Sequence, residues 1–571
     1  MKSFIILMIT ISMWCNFTFS QQILLNESYD DWNNQVSKYV DKNGDGNASG
    51  IDISDVRISN DNNFLFIYFD LNKEINLQDN NYLALYLDLD NQTSTGFNKY
   101  GIGADLIYYF GSRNGKYYTG NSTYVVFHND LGLVTSPTVT SDIFEMCIAR
   151  KFKYDNGTVT MANTIKVVLS DEDPAGDKAP DATGGYFFSF DNNKKFIPQP
   201  FSLKKEKPEN LRFMTYNVLK DQLFDPNVEQ NYRRIFKAIN PDIIGLCEIY
   251  DHSSEITAGL IEKFLPSTTG KKWYYSSVVP DIKLVSRYPV INTRSINGNG
   301  AFLIDLGTSH LVYIVVHLPC CDNETQRQQE VDNIMSFVRN IRYGLSVFQT
   351  PLNTPVIISG DMNLVGLRKQ LQTFITGDIA DNASYGPDFK PDWDDSNLED
   401  ASPFTTNLPH TFTWYNELGT YSAGRLDYFF YTGSVVQVKN SFTLWSPALT
   451  AEQLSASGIQ TQDVPLASDH LPVICDFLIG TETSSVDPAT TSDQLPFEYR
   501  LKNYSLTFSS EASGKIKISD IAGRVLYNAD HRAGTDQTVI DLESTPLNGL
   551  YLLTFSTKSN IYTTKIWIQN H

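Results

Sequence analysis

Short apolar runs rich in β-branched and aromatic residues recur along the chain, and polar residues end or interrupt several of them. LRFMTYN, IIGLCE and LVYIVVH, for example, have the pattern of a buried strand that carries a polar group at its end. Burying a neutral polar group without a partner costs on the order of 2 to 7 kcal/mol. We therefore predict one polar pocket that collects these groups. Its residues are Asn217, Glu248, His317, Asp361, Asn363, Asp427, Asp469 and His470.

The same pattern predicts a multidomain protein. In residues 21–200, runs such as FLFIYFDL and YLALYLDLD alternate with Asn, Asp and Gly turns, which predicts an all-β accessory domain folded as a β-sandwich. In residues 208–480, strands alternate with helical stretches, which predicts an α/β domain. A Ser, Thr, Asp and Pro linker at 481–497 precedes short strands at 498–571, a second, small β-sandwich.

One helix of the α/β region can be read directly from its apolar spacing. The segment QRQQEVDNIMSFVRNIR repeats apolar residues at helical intervals and follows the strand that ends at His317. The apolar face consists of Val331, Ile334, Met335, Val338 and Ile341.

The first residues have the pattern of a signal peptide. Lys2 leads into FIILMITISMW, and Thr18 and Ser20 are small residues at the positions that signal peptidase reads. We predict a signal peptide over residues 1–20, export through the Sec pathway, and no transmembrane segment after cleavage. The bulky Met13 and Trp14 before Cys15 argue against a lipoprotein.

Composition and charge narrow the class of protein. A hydrophobic content of 41% with 13% aromatic residues excludes a largely disordered chain. The formal net charge of −20 argues against strong passive attraction to nucleic acid, although bound divalent cations would offset part of it locally. The cysteines are sparse and show no disulfide framework.

A polar loop in the first region, DKNGDGNASGID, has the ligand spacing of a twelve-residue calcium loop with Gly46 at the sharp turn. Its flanks read as strand and irregular chain rather than as two helices, so a polar turn stiffened by side-chain hydrogen bonds is the alternative. The candidate structural Ca²⁺ ligands are Asp41, Asn43, Asp45, Asn47 and Asp52. A second acidic turn, with Asp88, Asp90 and Thr93, could also hold a structural ion.

In the central region, the segments YNVL, CE, VHLP, SGDMN, RLDYFF and SDHLPV occur in this order and resemble the endonuclease/exonuclease/phosphatase superfamily of metal-dependent phosphoesterases. The resemblance implies a DNase I-like four-layer sandwich, with two mixed β-sheets packed face to face, helices outside, and the site at one end of the sheets. It also implies Mg²⁺ or Mn²⁺ as the cofactor. Cys247 departs from the family, which often has Gln before the metal-binding Glu.

The resemblance implies a metal site built on Glu248. A carboxylate is the hard oxygen ligand that Mg²⁺ prefers. We expect Glu248 to be the principal metal ligand, with Asn217 and Asp469 completing or supporting the site.

The resemblance also implies the catalytic residues. Asp361 is expected to act as general base or to position the attacking water, and Asn363, two residues later on the same strand face, to contact the phosphate. His470 is expected to act as acid-base catalyst or charged donor, because Asp427 would orient its imidazole and favour the charged form. His317 is expected to contact or protonate the leaving group.

The last region carries the segments ISDIAGRVL, LNGLYLL and TTKIWIQ, which resemble the C-terminal sorting domain of type IX secretion. The resemblance implies the type IX machinery as a partner and a secreted or cell-surface location. A stabilising or adhesive β-module is the alternative.

The leading functional hypothesis is a secreted hydrolase of ester bonds, a nuclease or phosphodiesterase acting on DNA or RNA. Nucleic acid would be its substrate partner, and the basic side chains available to pair with phosphates are Arg368, Lys369, Arg425 and Lys439.

Three alternatives stay open. A sphingomyelinase-like lipid phosphodiesterase would need an exposed apolar hairpin, for which Tyr385, Phe389 and Trp393 are the nearest candidates. A small-molecule phosphatase is another possibility within the superfamily. A non-catalytic surface glycan-binding or adhesion protein is an alternative of a different class.

Overall fold

The computed structural model divides into two compact units, before and after Gly480. It describes residues 22–568 apart from 35–36, 47–49, 156, 175, 269–271, 481–496, 503–504, 521–524, 534–537, 543–548 and 558–560. The predicted signal peptide and nearly all of the predicted linker at 481–497 lie outside the described residues. The domain boundaries given above remain predictions.

The first region consists of short strands with one single-turn helix, α1 (His128–Leu131), and a 3-10 turn at Asp30–Trp32. The strands are β1 (Lys38–Val40), β2 (Asp55–Asn60), β3 (Phe64–Ile75), β4 (Leu83–Asp88), β5 (Phe97–Lys99), β6 (Ile102–Ala104), β7 (Leu106–Tyr109), β8 (Asn114–Thr119), β9 (Ser122–Val126), β10 (Val134–Ser136), β11 (Ser141–Ala149), β12 (Lys151–Tyr154), β13 (Gly157–Thr160), β14 (Thr164–Asp171), β15 (Lys178–Ala179) and β16 (Tyr186–Ser189).

Two antiparallel sheets dominate this region. One has the strand order β1-β2-β3-β11-β10, and the other has the order β15-β14-β4-β7-β8-β9 with β16 paired to β14. Alternate residues of both sheets point into one apolar core, in which Phe69 and Phe144 of the first sheet pack with Leu85 and Val167 of the second.

In the central region, strands and helices alternate. The strands are β17 (Leu211–Asn217), β18 (Ile243–Cys247), β19 (Tyr274–Ser276), β20 (Lys283–Ser286), β21 (Val290–Ile296), β22 (Asn299–Asp305), β23 (His310–His317), β24 (Val356–Asp361), β25 (Glu399–Asp400), β26 (Asp427–Tyr431), β27 (Val436–Thr443) and β28 (Val473–Ile479). The α-helices are α2 (Glu229–Ile239), α3 (Ser254–Phe264), α4 (Glu324–Arg342), α5 (Arg368–Thr376), α6 (Asn382–Tyr385), α7 (Ala451–Ser457) and α8 (Asp463–Ala467). The 3-10 turns are Gln222–Phe224 and Ser446–Ala448.

These strands form two mixed six-stranded sheets, β19-β20-β18-β17-β28-β27 and β21-β22-β23-β24-β26-β25. Phe213 and Phe477 of the first sheet pack against Tyr313 and Phe429 of the second in a core between the sheets. Helices α2 and α3 cover the outer face of the first sheet, and α4 covers that of the second with its predicted apolar face, from Val331 to Ile341. The predicted α/β arrangement of this region is confirmed.

The first and central regions share a hydrophobic core. Leu25, Trp32 and Phe66 pack in the same cluster as Phe412 and Ala423. Isolated backbone bridges join Leu25 to His410 and Val134 to Ala423. The first region therefore packs directly against the central region, although the composition of the segment between them is typical of a linker.

The last region contains β29 (Phe497–Lys502), β30 (Ser505–Ser510), β31 (Gly514–Asp520), β32 (Val525–His531), β33 (Thr538–Asp541), β34 (Gly549–Ser556) and β35 (Ile561–Ile568). They form one sheet with the order β29-β30-β33 and another with the order β32-β31-β34-β35. Phe508 of the first sheet and Ile518 and Phe555 of the second belong to one core.

Across the ranges that the structure describes, we found no helix with both the length and the apolar character needed to cross a membrane.

Candidate active site

The site lies where strands of the two central sheets end together. Asn217 ends β17 and pairs with Cys247, the last residue of the parallel strand β18, so Glu248 follows directly. In the second sheet, His317 pairs in register with Asp361, and Asp361 pairs with Asp427. Because parallel strands end at the same sheet edge, the fold brings these side chains together.

Asn217 joins the two carboxylates at the centre of the site. Its Nδ2 donates to Glu248 Oε1 at 2.9 Å and to Asp361 Oδ2 at 3.0 Å, while its Oδ1 accepts from the backbone N–H of Leu219 at 3.0 Å. The backbone N–H of Lys220 donates to Glu248 Oε2 at 3.0 Å. The contacts of Asn217 are those of a residue that supports the carboxylates through its amide hydrogens.

His470 and Asp427 form a buried pair. His470 Nδ1 lies 2.8 Å from Asp427 Oδ2, and the Thr413 hydroxyl donates to the same oxygen at 2.8 Å. His470 Nε2 points to Asp361 Oδ2 at 3.5 Å. Burial lowers the pKa of His470, but the negative charges of Asp427 and Asp361 and the hydrogen bond to Asp427 outweigh burial and raise that pKa to about 10. The surroundings of the imidazole thus favour its charged form.

His317 forms a second imidazole–carboxylate pair on the other side of Asp361. Its Nδ1 lies 2.6 Å from Asp281 Oδ2, and its Nε2 lies 3.7 Å from Asp361 Oδ2 and 3.9 Å from Glu248 Oε1. Burial lowers the pKa of His317, but the hydrogen bond to Asp281 and the charges of Asp361 and Glu248 raise it overall. Both imidazoles thus direct Nε2 toward the same carboxylate.

Two predicted site residues, Asn363 and Asp469, lie outside the group of side chains that converges on the Asp361 oxygen. Asn363 Nδ2 donates to the backbone oxygen of Leu318 at 2.9 Å, and its backbone N–H donates to Asp361 Oδ1 at 3.1 Å, so Asn363 braces the carboxylate. Asp469 Oδ2 accepts from Trp414 Nε1 at 3.1 Å. Asp469 belongs to neither of the ligand-atom clusters formed by Glu248, His317 and Asp361 or by Asp361, Asp427 and His470.

Sequence reasoning missed Asp281 and Thr413. Asp281 precedes β20 and Thr413 lies in an irregular segment, and both reach the site only through tertiary packing. A histidine at a strand end calls for an acceptor for its second ring nitrogen, which was the one available signal.

A cavity of about 810 Å³ opens over the site. Glu248, Asp281, His317, Asp361 and His470 line it, and so do Tyr250 and Trp414. Residues of the first region, among them Gln78 and Asp79, form part of the same lining.

The four predicted phosphate-binding basic residues do not line this cavity. The side chain of Arg425 is 4% exposed and forms an ion pair with Asp400. The other three are engaged at the surface: Arg368 with Asp142 at 3.1 Å, Lys369 with Asp378 at 2.5 Å, and Lys439 with Gln437 at 2.8 Å.

The apolar segment that a lipid phosphodiesterase would need is folded inward. Phe389 is buried, and Trp393 packs against the core outside the second sheet and donates from Nε1 to the backbone oxygen of Thr354 at 2.9 Å. Tyr385 packs against the same core.

The predicted calcium loop combines features of both interpretations. Asp45 and Asp52 each bring an oxygen within 4.8 Å of Asp177, which comes from a distant part of the sequence. Asp52 Oδ1 also accepts from the backbone N–H groups of Gly44 and Gly46 at 3.0 and 3.2 Å, as expected for a stiffened turn. Asn47 lies outside the described residues, and Asp41 is not in this cluster of three carboxylates. The roles expected of Asn43 and Asn47 remain predictions.

The donor set at the active site fits a hard divalent cation. Glu248, His317 and Asp361 each offer a ligand atom within 4.8 Å of the others, and two of the three are carboxylates. Such a concentration of negative charge in a partly buried site calls for a compensating cation.

Two family models match the chain. Residues 214–470 match the Endonuclease/Exonuclease/phosphatase family, and residues 501–569 match the Secretion system C-terminal sorting domain. Both resemblances predicted from the sequence are confirmed. No curated protein matches the chain.

Several solved structures are similar to a little less than half of this chain. The catalytic domain of human nocturnin is 16% identical and covers 47% of this chain and 94% of its own, with a TM-score of 0.29. TDP2 from Caenorhabditis elegans is 18% identical over 47% of this chain and 97% of its own, with a TM-score of 0.31. ANGEL2, a 2′,3′-cyclic phosphatase, is 15% identical over 48% of this chain and 97% of its own, with a TM-score of 0.31.

The family match assigns the central region to a fold of phosphoesterase hydrolases. The sorting-domain match indicates that the secretion machinery exports the protein to the cell surface or the medium.

Proposed function

We propose that this protein is a secreted, divalent-metal-dependent phosphodiesterase and that nucleic-acid phosphodiesters are its substrate class. The observation that carries the proposal is the convergence of Glu248, His317 and His470 on Asp361, with both imidazole Nε2 atoms within 3.7 Å of Asp361 Oδ2. A phosphodiester is anionic, so its hydrolysis needs neutralised charge, an oriented water and a stabilised leaving oxygen.

Glu248 would be the principal ligand of the metal ion, which we propose to be Mg²⁺ or Mn²⁺. When bound, the ion supplies a Lewis acid that offsets phosphate charge and lowers the pKa of a coordinated water. Asn217 orients both carboxylates through its amide hydrogens. The ligand roles predicted for Asn217 and Asp469 remain proposals, with Asn217 favoured as a supporting group.

Asp361 and the two imidazoles would divide the proton transfers. Asp361 is 2% exposed and lies between His317 and His470, where it can orient a water and accept its proton. Charged His470, held by Asp427, donates a hydrogen bond to a phosphate oxygen. His317, held by Asp281, donates to the leaving oxygen.

The experiment that tests the function is a substrate panel. The mature protein is incubated with plasmid DNA, RNA, sphingomyelin and p-nitrophenyl phosphate, in Mg²⁺ or in EDTA. We expect Mg²⁺-dependent turnover of a nucleic-acid substrate and little turnover of sphingomyelin, because Phe389 and Trp393 pack inward.

The panel also separates the alternatives. Turnover of p-nitrophenyl phosphate alone would favour a small-molecule phosphatase. Turnover of none of the four substrates, nor of the small diester thymidine 5′-(p-nitrophenyl phosphate), by protein with a cooperative thermal transition would favour a non-catalytic glycan-binding or adhesion protein.

We also propose a structural Ca²⁺ at Asp45, Asp52 and Asp177. The Oδ1 atom of Asp45 is buried without a hydrogen-bond partner, which supports an ion there. Addition of Ca²⁺ to EDTA-treated protein should raise the thermal midpoint, and Asp177→Asn should reduce that increase. An unchanged midpoint on Ca²⁺ addition would favour the stiffened turn.

Export is proposed to begin with cleavage after Ser20 and passage through the Sec pathway. The descriptions of the first and last regions as β-sandwich domains are likewise proposals.

A further inference from the structure

The loop that follows β3 in the first region forms one wall of the active-site cavity. Asn76, Gln78 and Asp79 line this cavity together with Glu248 and His470 of the central region. Thr138, between β10 and β11, also lines it. We refer to Asn76, Gln78, Asp79 and Thr138 as the β3 wall. The cavity therefore belongs to both regions.

Hydrogen bonds and an ion pair fix the β3 wall in place. Asp79 forms an ion pair with Arg113 and accepts from the Tyr421 hydroxyl at 3.2 Å. The Arg113 guanidinium lies 4.3 Å from the centroid of the Tyr421 ring, which adds a cation–π contact. Gln78 Oε1 accepts from the backbone N–H of Ser422 at 2.8 Å.

Contacts between the two regions also hold the β3 wall in position. Thr138 Oγ1 donates to the backbone oxygen of Leu364 at 2.8 Å, and the hydroxyls of Thr135 and Ser422 are 2.9 Å apart. Behind these contacts, Val134 packs in the same apolar cluster as Ala423. Rearrangement of the wall would expose this apolar surface to water, which is unfavourable.

The lining of the cavity has too few basic side chains to bind a long polyanion. Among its described lining residues, Lys220 is the only lysine or arginine, whereas Asp322 and Glu330 add to the carboxylates at the centre. Asp79 and Asp281, which also line the cavity, are paired with Arg113 and His317. A protein that binds nucleic acid along its backbone pairs Lys and Arg with successive phosphates. This cavity can neutralise the reacting phosphate with its metal and imidazoles but repels flanking phosphates.

The size and aromatic lining of the cavity suit a compact substrate. A volume of about 810 Å³ is in the range of small-ligand sites. Tyr250, which is 50% exposed, and Trp414 present aromatic surface on which a nucleobase or sugar can stack.

Resting on the proposed function, we infer that the β3 wall restricts the enzyme to compact phosphodiesters with few phosphates and one ring-bearing group, such as nucleotide esters or strand ends, and excludes intact duplex. The Asp79–Arg113–Tyr421 cluster is the positioning element of this wall. It acts on substrate choice without taking part in the proton transfers at Asp361.

The test compares two probes with the full mature protein in Mg²⁺: thymidine 5′-(p-nitrophenyl phosphate) and covalently closed plasmid duplex. In the wild type, kcat/KM for the small ester should exceed that per plasmid phosphodiester by about tenfold or more. Because p-nitrophenolate is the better leaving group and accounts for part of this excess, the change of the ratio between variants tests the wall. Asp79→Ala should lower this ratio by about threefold or more, chiefly through KM, because the wall loses its anchor.

Asp142→Ala is the matched control. Asp142 is likewise an aspartate of the first region in an ion pair with an arginine, here Arg368 of the central region, but neither residue lines the cavity. In the Asp142→Ala protein, the ratio of the two kcat/KM values should stay within about twofold of the wild-type ratio. If Asp79→Ala fails to fold, Gln78→Ala, which removes only the acceptor for Ser422, replaces it.

Plasmid cleavage as efficient as ester cleavage, or an unchanged ratio in a folded Asp79→Ala protein, would overturn the inference while leaving the phosphodiesterase intact. A ratio that falls equally in Asp142→Ala would also overturn it. Turnover of neither probe by the folded wild type would instead contradict the proposed function.

Discussion

The central and first regions contribute to the same cavity by different means. In the central region, Asn217, His317 and Asp361 are the last residues of strands, so sheet register fixes their mutual positions. In the first region, Gln78 and Asp79 lie in the loop between β3 and β4 and are fixed by contacts with Tyr421 and Ser422. Strand topology therefore positions the catalytic side chains, whereas packing between the two regions determines which substrates can reach them.

His470→Ala is the most severe test of the side chains that the central sheets position. Loss of the charged imidazole should lower kcat by about 100- to 10,000-fold, the usual contribution of a positioned acid or base. His252→Ala is the matched control, because His252 forms a similar pair with Asp221 at 2.8 Å outside the cavity lining. Near-normal kcat in folded His470→Ala protein would refute the assigned role.

Asp427→Asn tests the same His470–Asp427 pair, because it keeps the shape of the side chain and removes its charge. We expect kcat to fall by about 10- to 100-fold. Because the charge of Asp427 helps raise the pKa of His470 to about 10, its loss should also move the alkaline limb of the kcat/KM profile to lower pH. The measurement is a pH–rate profile from pH 6 to 11, and an alkaline limb that stays in place would contradict this coupling.

Asp281→Asn tests a residue that strand patterns do not reveal. We expect a loss in kcat of about fivefold to tenfold, because His317 would lose the acceptor that orients it. If Asp281 acts through His317, the double variant with His317→Ala should be no slower than His317→Ala alone. Additive losses in this cycle would show that Asp281 acts independently of the imidazole.

The smallest expected effect concerns the junction of the two regions. His410 is buried against Phe64 of the first region and Phe412, and burial lowers its pKa to about 3. Below pH 6.5 the unfolded chain therefore binds more protons than the folded one, so stability present above pH 6.5 is lost as pH falls toward 3. At pH 5.5 this loss is about 1.4 kcal/mol.

His410→Leu should remove that part of the pH dependence. The thermal midpoint, measured at pH 7.5 and pH 5.5, should fall less on acidification than in the wild type. His310→Leu, at the partly exposed start of β23, serves as control. An equal fall in His410→Leu and the wild type would mean that the junction does not respond to this group.

The sequence allowed the α/β fold and the strand-end residues to be predicted, because alternation of apolar residues marks strand ends and polar residues there are conspicuous. Asp281 escaped prediction since it lies outside any periodic segment and meets His317 across two sheets. Asp177 escaped for the same reason, as its partners Asp45 and Asp52 are remote in sequence. Local patterns carry no information about such pairings.

The β3 wall was beyond sequence reasoning for a different reason. We predicted a separate accessory domain from the strand pattern of residues 21–200, and the segment 190–210 that follows is rich in Lys, Asn and Pro, the composition of a linker. Composition does not report the apolar contacts of Leu25, Phe66 and Val134 with the central region. Those contacts join the two regions across one cavity, so the linker pattern was a poor guide to their independence.

The central claim is that one divalent-metal centre built on Glu248 hydrolyses phosphodiesters. Its most direct test is the rate of hydrolysis of thymidine 5′-(p-nitrophenyl phosphate) by metal-depleted wild type and Glu248→Gln as Mg²⁺ or Mn²⁺ is titrated in. We expect no turnover without metal and full recovery of the rate in the wild type as metal is added. Glu248→Gln should need at least about a tenfold higher metal concentration to reach half of its maximal rate. Metal-independent turnover, or the same metal dependence in both proteins, would contradict it.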